Sequence, residues 1–212
     1  MLYVKSKDLT VPGMLLAEGD YMSEDGTHRE KGKIYSSLVG IVYVDTRKLR
    51  VVALKGKYIP KQGDSVIGII SDERFNGWRV DIDSPYDATL NQKDIRIGRY
   101  ESLKVGDVVY ARIFKVSDIF ETSLDAKRPY GKLDNGILIE IHSARVPRLI
   151  GRKGSMINMI KEKTQSTITV GQNGLVWIRG GNQELAAEAC QRVDKEAHIP
   201  GLTDRVSEFL SR

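Results

Sequence analysis

The sequence predicts a mainly β chain that closes on an α+β domain, and three observations carry that prediction. Short runs of alternating apolar and polar residues, separated by Gly, Pro, Asn and Asp, fill the chain as far as Ile141. Helical spacing sets in only beyond that point, on either side of a turn bounded by Gly151 and Gly154, and again from about Gln183 to His198. Between these helical stretches lie two more β runs, 166–170 and 175–178, joined by Gly-Gln-Asn-Gly at 171–174. Residues 1–60 are therefore expected to form a small β-rich N-terminal domain, 61–136 a five-stranded barrel, and 137–212 an α+β domain with a C-terminal helix and tail.

In the first of these, a Val-Pro-Gly-Met turn at 11–14 leads into a short strand, and 23–32 is a polar, glycine-bearing loop. Residues 34–44 read as a strand, Asp-Thr-Arg-Lys at 45–48 turns the chain, and 49–54 pairs back as a hairpin. So small a piece buries too little to be comfortable alone. It carries no catalytic or metal-ligand spacing, and an interaction role suits it.

The turn-rich stretch 56–63 marks a boundary. Strand signals follow at 64–71, 78–83, 86–90, 107–116 and 136–141, with a helical or turn segment near Leu103. That many short strands in so little chain fit a small OB barrel, a fold that binds single strands by stacking bases on aromatics within a basic groove. The aromatic candidates are Phe75, Trp78, Phe114 and Phe120, with Arg74, Arg79, Arg112 and Lys115 as cationic partners. Trp78, beside Arg79 at the lip of the first hairpin, is the preferred stacking residue.

The most informative stretch is 146–160, Val-Pro-Arg-Leu-Ile-Gly-Arg-Lys-Gly-Ser-Met-Ile-Asn-Met-Ile. It spells a short helix, a tight glycine turn and a second helix. Glycines at both ends of the turn let another backbone approach closely, and the unpaired N–H groups of the second helix favour an anion. Charge gathers at the same place. Net charge is +5, yet residues 143–180 alone hold seven Lys and Arg against one Glu, while 61–142 hold twelve against fourteen acids. Attraction to a polyanion depends on such local field rather than on total charge.

Other chemistries find little support. Asp81 and Asp83 share a strand face and could chelate a divalent ion, but a solvated pair opposite Val80 and Ile82 needs no metal. His28, His142 and His198 have no ligand or triad partners at useful spacing, and neither a P-loop nor a dinucleotide fingerprint occurs. The lone Cys190 falls on an apolar helix face and cannot staple the chain. No signal peptide opens the chain and no run nears the ~18 apolar residues of a membrane span, so a cytoplasmic, cofactor-free binding protein is expected.

The loop Gly-Arg-Lys-Gly at 151–154, set after Ile-His-Ser-Ala-Arg-Val-Pro-Arg-Leu-Ile and inside a strand-helix-helix-strand-strand-helix order, resembles the GXXG loop of a type I KH domain. Residues 61–136 resemble the ribosomal S-one type of OB fold, although without its dense aromatic ladder. The full order is similar to the RNA-binding cap family of the archaeal exosome, whose intact glycine loop this chain shares. The resemblance implies three cap subunits on a hexameric ring of RNase-PH-like proteins. The N-terminal domain would anchor to the ring, and the RNA modules would line an entry pore. The cap would capture single-stranded RNA, with A-rich 3′ ends preferred, and the ring would degrade it by 3′ to 5′ phosphorolysis. Gly151, Arg152, Lys153 and Gly154 would hold phosphates, Arg145 and Arg148 would flank the track, and Ile150, Ile157 and Ile168 would floor the bases. A free-standing RNA chaperone or translation-related factor could use the same modules, and a mainly scaffolding cap is a further alternative.

Overall fold

Alternation of buried and exposed side chains folds the first fifty or so residues into two small sheets. The computed structural model describes residues 1–53, 57–95, 102–127, 129–197, 199 and 201–211, and the chain divides into two units, Met1–Gly56 and Lys57–Arg212. The first unit is built of β1 (Leu9–Thr10), β2 (Leu15–Glu18), β3 (Met22–Ser23), β4 (Thr27–Glu30), β5 (Lys33–Ser36), β6 (Gly40–Asp45) and β7 (Lys48–Ala53). They pair as β1-β6-β7-β3 and β2-β5-β4 around Leu16, Ile34, Val42, Leu49 and Val51.

Two expectations fail in this unit. The run 34–44 is not one strand, because Ser37, Leu38 and Val39 interrupt it and send β5 and β6 to different sheets. A polar corner makes the break: the Ser36 hydroxyl donates to the Leu38 carbonyl at 2.8 Å and meets the Thr10 hydroxyl at 3.2 Å. Gly40 then lets β6 pass close to β7, since a Cβ there would lie 2.3 Å from the Val52 carbonyl oxygen. The loop expected at 23–32 contains β4, whose Thr-His-Arg-Glu sequence has no apolar alternation to announce a strand. Leu54 and Gly56, which end the expected hairpin and open the boundary stretch, lie outside the described residues.

In the second unit β8 (Ser65–Arg74), β9 (Gly77–Asp81), β10 (Ala88–Ile95), β11 (Val108–Val116) and β12 (Thr122–Ala126) close a barrel in the order β8-β9-β10-β12-β11 and back to β8. Among these five barrel pairings β10–β12 is parallel and the others antiparallel. This is the OB arrangement, with β13 (Gly131–Leu133) added along β11. The fifth strand is not 136–141, as expected, but β12. Its inward residues are Thr122, Leu124 and Ala126, two of them too small or polar to stand out as a buried strand. Tyr58 and Leu103 also pack into the barrel core, and Tyr58 donates its hydroxyl to Asp64 at 2.6 Å.

The C-terminal module is a three-stranded antiparallel sheet, β14 (Ile137–Glu140), β15 (Thr167–Val170) and β16 (Leu175–Arg179), ordered β14-β16-β15. α1 (Val146–Ile150), α2 (Ser155–Thr164) and α3 (Gln183–Glu196) belong with it, giving the type I KH topology. His198, the expected end of the last helix, lies outside the described residues. The expected tail instead contains α4 (Leu202–Phe209), which buries Leu202 and Val206 in the same core, with Leu210 just beyond its end. Their four-residue spacing was visible, but two turns of helix are too short to be recognised by periodicity alone.

One side chain joins the KH turn to the barrel. Asn173, only 1% exposed, donates through Nδ2 to the carbonyls of Ile67 at 2.7 Å and Ile82 at 2.8 Å, and accepts the Ile67 N–H at 3.2 Å. The β8–β9 ladder starts only at Ile69 opposite Asp81, so Ile67 and Ile82 lie just past its end and the amide supplies the partners that the ladder does not. Buried Ile67, Leu175 and Trp177 pack beside it with Val108, Tyr110 and Leu138. Each such backbone group left unpaired would cost about 1–3 kcal/mol.

α4 is held to α3 by Glu196, which accepts from Arg205 at 2.8 Å and from Arg192 at 2.6 Å, while Arg192 lies 5.0 Å over the Phe209 ring. Hydrogen bonds from Arg205 and then Arg192 hold the Glu196 carboxyl below its ordinary range. A carboxylate depressed on folding stabilises above its unfolded pKa and loses that contribution as pH falls through the folded value. Glu196→Gln should therefore speed amide exchange in 202–210 several-fold at neutral pH. The difference from the wild type should shrink on acidification, and a difference unchanged at low pH would contradict the ion-pair account.

Candidate nucleic-acid interface

The glycine loop takes its shape from three successive departures from helical backbone. Gly151 closes α1 at φ 75°, ψ 176°, and a Cβ there would lie 2.8 Å from the Met156 nitrogen, so only glycine fits. Lys153 follows at φ 52°, ψ 29° and Gly154 at φ 81°, ψ 9°, both left-handed. For lysine that conformation costs about 1–2 kcal/mol. Arg152 and Lys153 are exposed there, and no side chain caps the first turn of α2. Among the described residues Arg145, Arg148, Arg152 and Lys153 have no acidic partner. The result is an exposed cationic turn, with no side chain capping the helix behind it, suited to the phosphates of a single strand.

The expected apolar floor needs correction. Ile168 and Ile157 are core residues at 3% and 8% exposure, packed with Leu149, Ile160 and Ile178, and offer at most an edge. Ile150, half-buried next to Gly151, is the one of the three that keeps an open surface.

On the barrel, Trp78 is not a surface stacker. It is buried, and its Nε1 donates to the Leu103 carbonyl at 3.1 Å. Period two explains the placement, since Trp78, Val80 and Ile82 share an inward apolar alternation while Arg79 points outward between them. Arg79 is tied to Asp87, and Arg74 lies 3.8 Å from Asp72. Phe120 stacks on Tyr86 at 4.4 Å between centroids. Phe75 stands fully exposed at the β8–β9 hairpin tip, and Arg112 is exposed but lies beside Gly63.

Of the barrel candidates, Phe114 and Lys115 are brought together. They line a cleft of about 420 Å³ with Asn91, Lys93, Ser123 and Lys127, the last bonded to Asp94 at 3.3 Å. A second cleft of about 470 Å³ is lined by Asn76, Asn91, Gln92 and Lys93, next to Phe75 in the chain. Asn91 and Lys93 line both, so the two clefts adjoin. Exposed aromatics, lysines and amide side chains are the groups that stack on bases, neutralise phosphates and hydrogen-bond base edges. Asn91, Lys93, Ser123 and Lys127 were missed in the sequence, because Ser123 and Lys127 belong to the unrecognised β12 and its flank. Asn91 and Lys93 fall past the expected end of their strand at Leu90.

Among the described residues no three of His, Cys, Asp and Glu gather as metal ligands. Asp81 accepts the Asp83 N–H at 2.9 Å, and His142 faces Asp194 at 2.9 Å. Burial pushes the Cys190 thiol up to about 12, which leaves it inert. No helix among the described residues is long and apolar enough to cross a membrane.

Comparison with known families matches three successive models: the exosome RNA binding protein RRP4 N-terminal domain over residues 7–55, the S1 domain of exosome complex component RRP40 over 58–135, and the KH domain over 136–184. The chain is similar to exosome complex component Rrp4 of Methanobrevibacter smithii, 47% identical over 100% of this chain and 73% of that protein. It is likewise similar to the proteins of the same name from Thermococcus kodakarensis (45%, covering 99% and 87%) and Methanothermus fervidus (43%, covering 100% and 99%). A crystal structure assigned to an exosome complex RNA-binding protein matches with a TM-score of 0.66 and 34% identity, over 74% of this chain and 96% of that one.

The burial of Trp78 is directly testable. Trp78→Ala should lower unfolding free energy by about 3–5 kcal/mol, as large aromatic-to-alanine changes in cores do. Urea denaturation measures this, and a loss below about 1 kcal/mol would return Trp78 to the surface.

Proposed function

This chain belongs to the Rrp4 family of exosome components, and from that membership we propose that it captures single-stranded RNA at its KH loop and barrel cleft and passes the 3′ end to a phosphorolytic 3′–5′ exoribonuclease ring. The chain is itself a non-catalytic, RNA-binding subunit. The carrying observation is the loop at 151–154. Its glycines are sterically required or left-handed, its two cations are exposed without acidic partners among the described residues, and the helix behind it has no side-chain cap. A-rich 3′ ends are the preferred form of the substrate in this proposal, and three copies of the chain sit on one hexameric ring of RNase-PH-like subunits.

The first unit serves as the anchor to that ring. In its larger sheet Leu9 pairs with Ile41 and Ile41 with Val52, and Leu9 and Val52 are 60% and 40% exposed. Val11 and Val39 continue the exposed apolar surface beside them. An apolar patch of this kind on so small a unit supports a protein contact.

Because RNA must be handed on, binding should be moderate and salt-sensitive. Replacing both Arg152 and Lys153 by Asp should weaken single-stranded RNA binding on the order of tenfold or more at low salt, with an unchanged circular dichroism spectrum. The same change should flatten the dependence of affinity on salt by about 1.4 in log-log slope, for two phosphate contacts at ~0.7 each. Unchanged affinity in that variant would remove the loop from the site. Phe114→Ala should weaken RNA binding by about 1–3 kcal/mol. Unaltered binding in a filter or anisotropy assay would remove the cleft.

A further inference from the structure

The β8–β9 hairpin runs on past the part of β8 that is buried in the barrel. Its register slips between Ile70 and Asp72, and beyond that bulge Ser71, Asp72, Glu73 and Arg74 are all exposed. The two-residue turn that follows, Phe75-Asn76, is nonetheless braced. The Gln92 N–H of β10 donates to the Asn76 carbonyl at 3.0 Å, and Gly77 passes so close to β10 that a Cβ there would lie 2.2 Å from the Leu90 carbonyl oxygen. Phe75 is carried on this stiff tip at 98% exposure. Asn76 beside it lines the cleft of about 470 Å³ with Asn91, Gln92 and Lys93.

A solitary ring of this kind suits a flat partner. Protein contacts concentrate on aromatics surrounded by packed groups that exclude water. Phe75 is instead flanked in its hairpin by Asp72, Glu73, Arg74 and Asn76, polar and exposed, with Arg74 3.8 Å from Asp72. Stacking on a base needs only the face of the ring. Clefts of about 420 and 470 Å³ admit unpaired nucleotides and exclude a double helix. A stem attached to a bound strand therefore halts at the rim, where the plane of its last base pair is open to an aromatic face. Asp72 and Glu73 on the hairpin repel the stem's phosphates and leave that plane as the favourable contact.

We propose that Phe75 recognises the boundary between single-stranded and paired RNA: its ring stacks on the last base pair of a stem while the 3′ overhang of that stem occupies the barrel cleft. The substrate class so selected is a structured RNA with a free single-stranded 3′ end. The proposal rests on the reading above that the cleft holds RNA.

The test compares two oligoribonucleotides against the full chain by fluorescence anisotropy. One is a single strand of about ten nucleotides, within the range one OB fold accommodates; the other carries the same strand as a 3′ overhang on a closed stem. The wild type should bind the stem-bearing RNA on the order of tenfold more tightly, a gain expected of one added stacking contact. Phe75→Ala should abolish most of that gain and bind the plain strand within about twofold of the wild type, whereas Phe75→Trp should keep the gain. Absence of the gain in the wild type, or its survival in Phe75→Ala, overturns the proposal. Equal weakening of both RNAs by Phe75→Ala also overturns it, since the ring would then be stacking on an unpaired base. The underlying reading is judged separately by Phe114→Ala on the plain strand. If affinity there is unchanged, the cleft reading falls and the proposal with it; if it weakens and the wild type shows no preference for the stem, the role of Phe75 alone is wrong.

Discussion

Where the β8–β9 ladder runs out, the N–H and carbonyl of Ile67 and the carbonyl of Ile82 are turned toward protein instead of water, and one amide from another module completes them. Much of the second unit follows from that requirement. The turn that delivers the amide must be tight, hence glycines at 171 and 174; the strand after it must bury Leu175 and Trp177 against the barrel; and the sheet to which that strand belongs is thereby aimed. Two modules that could each exist on a flexible tether are instead parts of one packed object.

Charge is distributed to match. The barrel and its flanks carry more acid than base, and many of their cations are committed: Arg79 to Asp87, Lys127 to Asp94, Lys132 to Asp107. In α3 and α4, Arg192 and Arg205 are likewise committed to Glu196. The cations of the glycine loop are not so neutralised, which leaves their field available to a polyanion. The barrel cleft has lysines but also Asp94 and Asp125 on its wall, so in the proposed role it would rely more on stacking and base-edge contacts than on charge.

The glycine loop and the KH order around it were legible because a bend of that kind leaves a direct mark: glycine where φ is positive, cations between, apolar residues at helical spacing on both sides. Long strands were legible for a similar reason, β11 by its alternation and β8 by its apolar run. What escaped had weak or misleading marks. β12 uses Thr122 and Ala126 where larger apolar residues would have announced it, and β4 has no apolar residue. The break between β5 and β6 is made by hydroxyl bonds of Ser36 that no periodicity encodes. Trp78 was misplaced although its alternation with Val80 and Ile82 was in view, because an aromatic beside an arginine suggested a surface contact more strongly than its period suggested a core. The role of Asn173 could not have been read locally at all, since its partners lie about a hundred positions away in the chain.

Lys153 occupies a backbone conformation that asparagine or glycine would adopt with less strain. Improvement of the protein for heat resistance, guided by turn statistics alone, would thus converge on removing the ammonium group to which the proposed function assigns a backbone phosphate. Under that proposal robustness and grip are opposed at this position, and lysine there favours grip against its own conformational preference.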